Sequence, residues 1–172
     1  MKTIVVLGMH RSATSLVART LNSEVHMGKK LLIGLVDNPK GHYENIEIIK
    51  INDEILHNSG GSWFDPPPRE KIIEIGKNYE DHIKRIVADE VATAQSKNME
   101  SWGFKDPRTS LTIDAWYKHL PNPQFVVCYR NLKDIATSLH KRNGISIEQG
   151  KNLAIEYNKR ISQFLESFYM ED

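Results

Sequence analysis

The chain has 172 residues, of which 40% are hydrophobic and 26% charged, and a formal net charge of +1. That length builds one well-buried core and excludes two ordinary domains, while the near-neutral balance excludes a global pull toward nucleic acid or membrane. The lone Cys128 excludes a disulfide framework and, lying within an apolar run, reads as a buried thiol of a reducing compartment.

Met1-Lys2-Thr3 is followed by only four strongly apolar residues, too few for a signal peptide or a spanning helix, so the expected location is the cytoplasm, without membrane insertion. Those four, Ile4-Val5-Val6-Leu7, predict a strand. Leu16, Val17, Thr20 and Leu21 predict a short amphipathic helix ending near Asn22. Between them lies Gly8-Met9-His10-Arg11-Ser12-Ala13-Thr14-Ser15. A strand, a tight loop and a helix in that order aim loop N–H groups and a helix dipole at one point, which suits a tetrahedral anion. Arg11 adds a full charge, and Ser12, Thr14 and Ser15 add hydroxyl donors. The pattern resembles a P-loop, but Ala13-Thr14-Ser15 stands where a nucleotide triphosphatase has Gly-Lys-Ser/Thr.

Gly28 and Lys29-Lys30 break the pattern, and Asp37-Asn38-Pro39-Lys40-Gly41 is turn chemistry. His42-Tyr43-Glu44-Asn45 then leads into a helical run marked by Ile46, Ile49, Ile55 and Leu56, which places Glu44 at a loop-to-helix junction. The glycines and prolines between Ser59 and Pro68 exclude helix and central strand, leaving a surface loop in which Trp63 is a candidate for the mouth of a site. Residues 69–98 read as helix divided at Gly76, with Ile72, Ile73, Ile83, Ile86, Val87 and Val91 as buried positions. Trp102-Gly103-Phe104-Lys105-Asp106-Pro107-Arg108 gives a strand that stops before the proline, followed by a helix from about Ser110 to His119.

Gln124-Phe125-Val126-Val127-Cys128-Tyr129 is the strongest strand, and its near-continuous apolarity predicts a parallel strand covered on both faces. Arg130 ends it and Asn131 caps a helix running to about Arg142. A last helix from Ile147 to about Phe168 carries Leu153, Tyr157, Ile161, Phe164 and Leu165 on one stripe. The alternation predicts an α/β fold of three layers around a central, mainly parallel sheet, like that of P-loop nucleotide-binding proteins. Ligands bind such sheets at the carboxyl ends of the strands, and Arg11, Lys105, Arg108 and Arg130 all follow strands. Arg130, Asp134 and Ser138 recur every four residues along one helix face, so an arginine fork and a hydroxyl line up for a second phosphate.

These residues resemble those of sulfotransferases that use 3′-phosphoadenosine 5′-phosphosulfate (PAPS). Gly8 to Ser15 is similar to their 5′-phosphosulfate loop, and Arg130-Asn131-Leu132-Lys133-Asp134-Ile135-Ala136-Thr137-Ser138 to their 3′-phosphate motif. Asn38 to Asn45 and Trp102 to Arg108 resemble two further blocks of bacterial members. The resemblance implies one sulfotransferase-like domain over residues 1–172, binding PAPS as co-substrate through Arg11, Ser12, Ala13, Thr14, Ser15, Arg130 and Ser138. Ala13 replaces the family's usual glycine, and at a left-handed position that exchange costs about 1 kcal/mol. Relatives commonly continue with another strand and an adenine-side loop, so the domain is expected to be short or truncated after Phe168-Tyr169-Met170-Glu171-Asp172.

The resemblance also assigns catalysis to Arg11, Glu44 and Lys105, and acceptor binding to His42, Trp63 and Arg108. Sulfonate transfer builds negative charge on the bridging oxygen of the leaving nucleotide, where Arg11 belongs, and needs a base for the acceptor proton. Glu44 is the candidate base, with His10 and His42 as rivals, although a helix N-terminus favours an acidic residue without any catalysis. No metal is expected, since no histidine has ligand spacing. The expected partner is a small-molecule or carbohydrate acceptor. A P-loop kinase-like phosphotransferase is the first competing reading, but it needs a loop lysine and an acidic strand end that are missing here. A non-catalytic adenosine bisphosphate-binding module is the second.

Overall fold

Strand β1 (Lys2–Gly8) runs through the middle of a parallel sheet, between β4 (Ser101–Lys105) and β5 (Pro123–Cys128), in the order β4-β1-β5. The structure, a computed structural model, describes residues 1–32 and 41–170. The turn expected at Asp37-Asn38-Pro39-Lys40 lies outside the described residues, as do Glu171 and Asp172. Val5 sits opposite Phe104 on one neighbour and Phe125 on the other, which fixes the register of all three strands.

Because side chains alternate along a strand, β1 feeds two cores. Ile4 and Val6 face α1 (Thr14–Leu21), with Ala18, Val25, Met27 and Cys128. Val5 and Leu7 face the larger core of α2 (Ile46–Asn58), α3 (Arg69–Gly76), α4 (Glu80–Ser96), α5 (Thr109–Trp116), α6 (Leu132–Asn143) and α7 (Ile147–Met170). Helices therefore cover both faces of a parallel sheet, the three-layer α/β architecture expected from the alternation of elements. Gly76 is followed by a single 3-10 turn over Lys77–Tyr79, so α3 and α4 divide where the sequence predicts. Asn131 caps α6 by accepting from the Lys133 N–H at 2.9 Å.

β5 is covered on both faces, as its apolar run predicts, with Phe125 packed against Phe164 and Phe168 of α7 at 5.0 and 5.1 Å and Val126 and Cys128 against the α1-side core, while it lies at the edge of the described sheet and is mostly half-buried. Three expectations need correction. The buried face of α2 is Ile48, Ile51, Asn52, Ile55 and Leu56, leaving Ile46 exposed and Ile49 half-buried. A polar residue inside that stripe hid its phase. In α1 the inner positions are Thr14 and Ala18, while Leu16 points outward. Ile73 is exposed on α3, one step off the face led by Ile72. A two-residue antiparallel pair, β2 (Leu31–Leu32) with β3 (Glu44–Asn45), is too short to leave a sequence period.

Helices α6 and α7 cross closely at Gly150, where a Cβ would lie 2.9 Å from the Ala136 Cα. This contact holds α6, which carries Ser138 and Arg142, against α7. No helix among the described residues is long and apolar enough to cross a membrane.

Candidate functional site

The carboxyl ends of the three parallel strands meet in one pocket of about 180 Å³. From β1 come His10, Arg11, Ala13, Thr14 and Ser15; from β4, Lys105 and Pro107; from β5, Arg130. His42 and Glu44 enter from the segment around β3, and Arg142 from the end of α6. Four of these side chains are cationic and one is a carboxylate, so the pocket is strongly positive in a chain whose net charge is only +1.

The loop after β1 has the backbone of an anion cradle. Arg11 and Ala13 both have φ 68, and residues of alternating hand form the kind of backbone nest that binds anions, with the Ser12 N–H itself engaged by the Met9 carbonyl at 3.2 Å. Ser12 is not available as a ligand: it is buried, and its Oγ donates to the Met9 carbonyl at 2.5 Å. Its role is to close the turn. A side chain at Gly8 would put a Cβ 2.8 Å from both the Cys128 carbonyl and Ser12 Oγ, so the loop cannot leave β1 with any larger residue. Ser110 of α5 ties the loop's start down, accepting from the Gly8 N–H at 2.9 Å.

Ala13 occupies a left-handed position with an exposed Cβ, the conformation in which an L-residue is strained. Ala13→Gly is therefore expected to stabilise the fold by about 1 kcal/mol, less the extra unfolded-state freedom glycine brings. A denaturant midpoint unchanged or lowered in that variant would show the strain to be absent.

Arg11 Nε donates to Ser138 Oγ at 2.7 Å, and Arg130 donates to the Arg11 carbonyl at 3.0 Å. The two motifs that the sequence read as separate phosphate sites are thus one joined structure. Ser138 reaches the site through Arg11, while Arg130 also sits 3.8 Å from Asp134, the four-residue line expected of α6. Arg142, which the sequence reading passed over, continues that same line by one more turn after Arg130, Asp134 and Ser138. Extending the step would have found it.

Glu44 and Lys105 form the buried floor. Lys105 Nζ donates to Glu44 Oε1 at 2.6 Å and to Ser15 Oγ at 3.1 Å, so it links the β3 carboxylate to the anion loop. Burial pushes the Glu44 carboxyl above its ordinary range, with Asp106 adding repulsion and Lys105 opposing. Burial likewise pulls Lys105 below the usual ammonium range, opposed by Glu44. Arg108 does not line the pocket. Its guanidinium lies behind, 2.8 Å from Asp106, 2.7 Å from Asp53 and 3.8 Å from Glu44, and so braces the carboxylate rather than facing an acceptor.

Trp63 also stands one layer back. Its ring packs 4.5 Å from that of His10, which lines the pocket, and its carbonyl accepts from the Tyr157 hydroxyl at 2.8 Å. Burial, then the charges of Arg108, Lys105 and Arg142, drive the His10 pKa well below the usual imidazole value. Burial and these cations favour the neutral form of His10. His42 Nδ1 lies 3.9 Å from Glu44 Oε1. Among the described residues no cluster of three or more His, Cys, Asp or Glu is placed to hold a metal ion.

A family model described as the sulfotransferase family matches residues 3–169. No curated protein and no solved structure matches the chain.

Proposed function

The chain belongs to the sulfotransferase family, and on that premise we propose that it moves the sulfonate of PAPS to a hydroxyl or amine acceptor. The observation that carries the choice of donor is the Arg11, Ser138 and Arg130 junction. It fuses the strand-loop-helix cradle with a second cationic end, as a nucleotide charged at both its 5′ and 3′ positions requires. The cradle's nest-like backbone and the four surrounding cations fit that ligand.

In this reading Arg11 and the loop N–H groups hold the charge that develops on the bridging oxygen as its bond to sulfur breaks. Thr14 and Ser15 complete the cradle. Lys105 stands between the loop and Glu44 and stabilises the sulfonate oxygens. Glu44 receives the proton that the acceptor gives up as its oxygen or nitrogen bonds to sulfur. A carboxyl lifted by burial is a better base than a solvated one. Its rival His10 is the poorer base, because burial and the surrounding cations disfavour its protonated form, and His42 borders the same carboxylate. Arg108 keeps Glu44 in place.

Calorimetry with adenosine 3′,5′-bisphosphate, its 2′,5′ isomer and ATP tests the donor. The 3′,5′ compound is expected to bind at least tenfold tighter than either. Arg130→Ala is expected to weaken it by roughly 2 kcal/mol, the lower end for a charge contact because this side chain is 44% exposed. Equal affinity for the three nucleotides, or an Arg130→Ala protein that binds normally, would remove the proposal. Tight binding without sulfonate turnover on any acceptor would leave a nucleotide-binding module.

A further inference from the structure

On the face of β3 turned away from the pocket lies a second buried polar cluster, His26, Asn45 and Glu90, that the proposed reaction does not use; each residue is at most 4% exposed. Consecutive residues of a strand point to opposite faces, so while Glu44 turns to Lys105, Asn45 turns to Glu90 of α4. Asn45 Nδ2 donates to Glu90 Oε1 at 2.7 Å. The other Glu90 oxygen lies 2.8 Å from His26 Nε2, and the Lys29 N–H reaches Oε1 at 3.4 Å. Lys97 Nζ stands 3.4 Å from the remaining ring nitrogen of His26.

His26 in turn is fixed to β4. Its N–H donates to the Ser101 carbonyl at 3.1 Å and its carbonyl accepts from the Gly103 N–H at 2.9 Å, a parallel bridge opposite Trp102. Lys105 ends that same strand. A continuous chain of contacts therefore runs from the strand that carries Glu44, through Asn45, Glu90 and His26, to the strand that carries Lys105. Gly28 leaves room for it, since a Cβ there would lie 3.0 Å from Asn45 Nδ2 and φ is 116.

β3 is two residues long and its partner β2 is no longer, so their own ladder fixes the position of Glu44 weakly. Asn45 Oδ1 caps α2, accepting from the Glu47 N–H at 3.0 Å, so one amide joins the start of α2 to the Glu90 carboxyl. Burying that carboxyl costs free energy that an apolar residue on α4 would not. What it gains is direction. An oxygen held from His26 and Lys29 receives the Asn45 amide at one place, and a displacement of about 1 Å at a reacting pair costs on the order of 10² in rate. Resting on the sulfonate-transfer reading, we infer that Glu90 is a positioning residue of the reaction: held by His26, it docks Asn45 and so sets the Glu44 carboxylate against Lys105.

The test uses the full chain, isotope-labelled at the glutamate carboxyl carbons, and reads the Glu44 titration by NMR, with the Glu44→Gln spectrum identifying its resonance. The charged and titratable groups that face Glu44 are Lys105, Arg108, Asp106 and His42, all unchanged in the test variants. Asn45→Ser keeps a side-chain oxygen for the α2 cap but is too short to reach Glu90, and Glu90→Leu removes the acceptor itself. In each, Glu44 stays buried while its contact with Lys105 lengthens, so it is expected to bind its proton about tenfold more tightly. Glu90→Gln keeps an oxygen for Asn45 and is expected to hold the parent's proton affinity within about twofold. Affinity for adenosine 3′,5′-bisphosphate should stay within about threefold of the parent in all three, because none of the cluster lines the pocket. Circular dichroism checks folding, and if Glu90→Leu does not fold, Asn45→Ser carries the test. A bridge with a structural role alone would lower the stability of these variants and leave the Glu44 titration where it is. That result, or Glu90→Gln moving the titration as far as Glu90→Leu, overturns the inference. If Glu44 responds as expected in a chain that binds no adenosine 3′,5′-bisphosphate, the clamp stands and the sulfonate reading falls, so the two failures are distinct.

Discussion

Lys105→Met is expected to lower turnover by about 10² to 10³ and, at neutral pH, to cost about 3 to 5 kcal/mol of stability. Both effects come from one geometry. Lys105 is fully buried, its ammonium 2.6 Å from Glu44 Oε1 and 3.1 Å from Ser15 Oγ, so methionine strands a buried carboxylate and removes a donor from the anion loop. The stability effect has a sign that can be checked. Burial already raises Glu44, and without Lys105 to oppose it the folded value rises further. A folded carboxyl pKa above the unfolded one means that the native state binds the proton more tightly. The variant's deficit is then absent below the ordinary carboxylate range, grows as pH rises through the window up to the folded value, and is complete above it. Adding Glu44→Gln removes the stranded charge, so the double variant should recover most of the lost stability while turnover stays low. Equilibrium denaturation across pH, with turnover on the same samples, reads the cycle. A single variant as stable at pH 8 as at pH 5 would mean that Glu44 is not held as a buried charge.

What the sequence discloses about this pocket is what lies close along the chain. Gly8 to Ser15 is legible because a strand, a loop and a helix follow one another, and Arg130 to Ser138 because a four-residue step survives in the helix that forms. Ala13 is half legible. Its departure from glycine marks the position, and the left-handed φ of 68 supplies the reason. Long-range pairings leave no such trace. The ion pair of Glu44 with Lys105 joins residues 61 apart, and the Arg11 to Ser138 bond residues 127 apart, each made only once the sheet has brought its strand ends together. The same holds for Ser12 and Arg108. Their residue types suit ligands, but their neighbours, the Met9 carbonyl and three carboxylates, engage them first. The phase of α2 was hidden for a related reason, since its buried stripe contains a polar residue, Asn52, that no hydrophobic period picks out.

Asn52→Leu is expected to destabilise the fold by about 3 to 5 kcal/mol although leucine nearly matches the volume. Asn52 is fully buried and uses its whole amide. Its Nδ2 donates to Asp106 Oδ2 at 2.8 Å and Thr109 Oγ1 at 2.9 Å, while its Oδ1 accepts from Thr112 Oγ1 at 2.7 Å and Trp116 Nε1 at 2.8 Å. Every partner is buried, so leucine leaves the Thr112 hydroxyl, the Trp116 N–H and one Asp106 oxygen without their bond to Asn52, at roughly 1 to 3 kcal/mol for each group left unsatisfied. The loss also reaches the site, because Asp106 holds Arg108 at 2.8 Å and Arg108 stands beside Glu44. Thr112→Val removes a single donor and should cost no more than about 1 to 2 kcal/mol, which separates the loss of one bond from collapse of the network. Asn52→Asp should behave differently again. It places a second carboxylate against Asp106, so its deficit should be greatest at neutral pH and shrink as the pair gains a shared proton in acid. An Asn52→Leu protein within about 1 kcal/mol of the parent by denaturant midpoint would show that the amide fills space there and orders nothing.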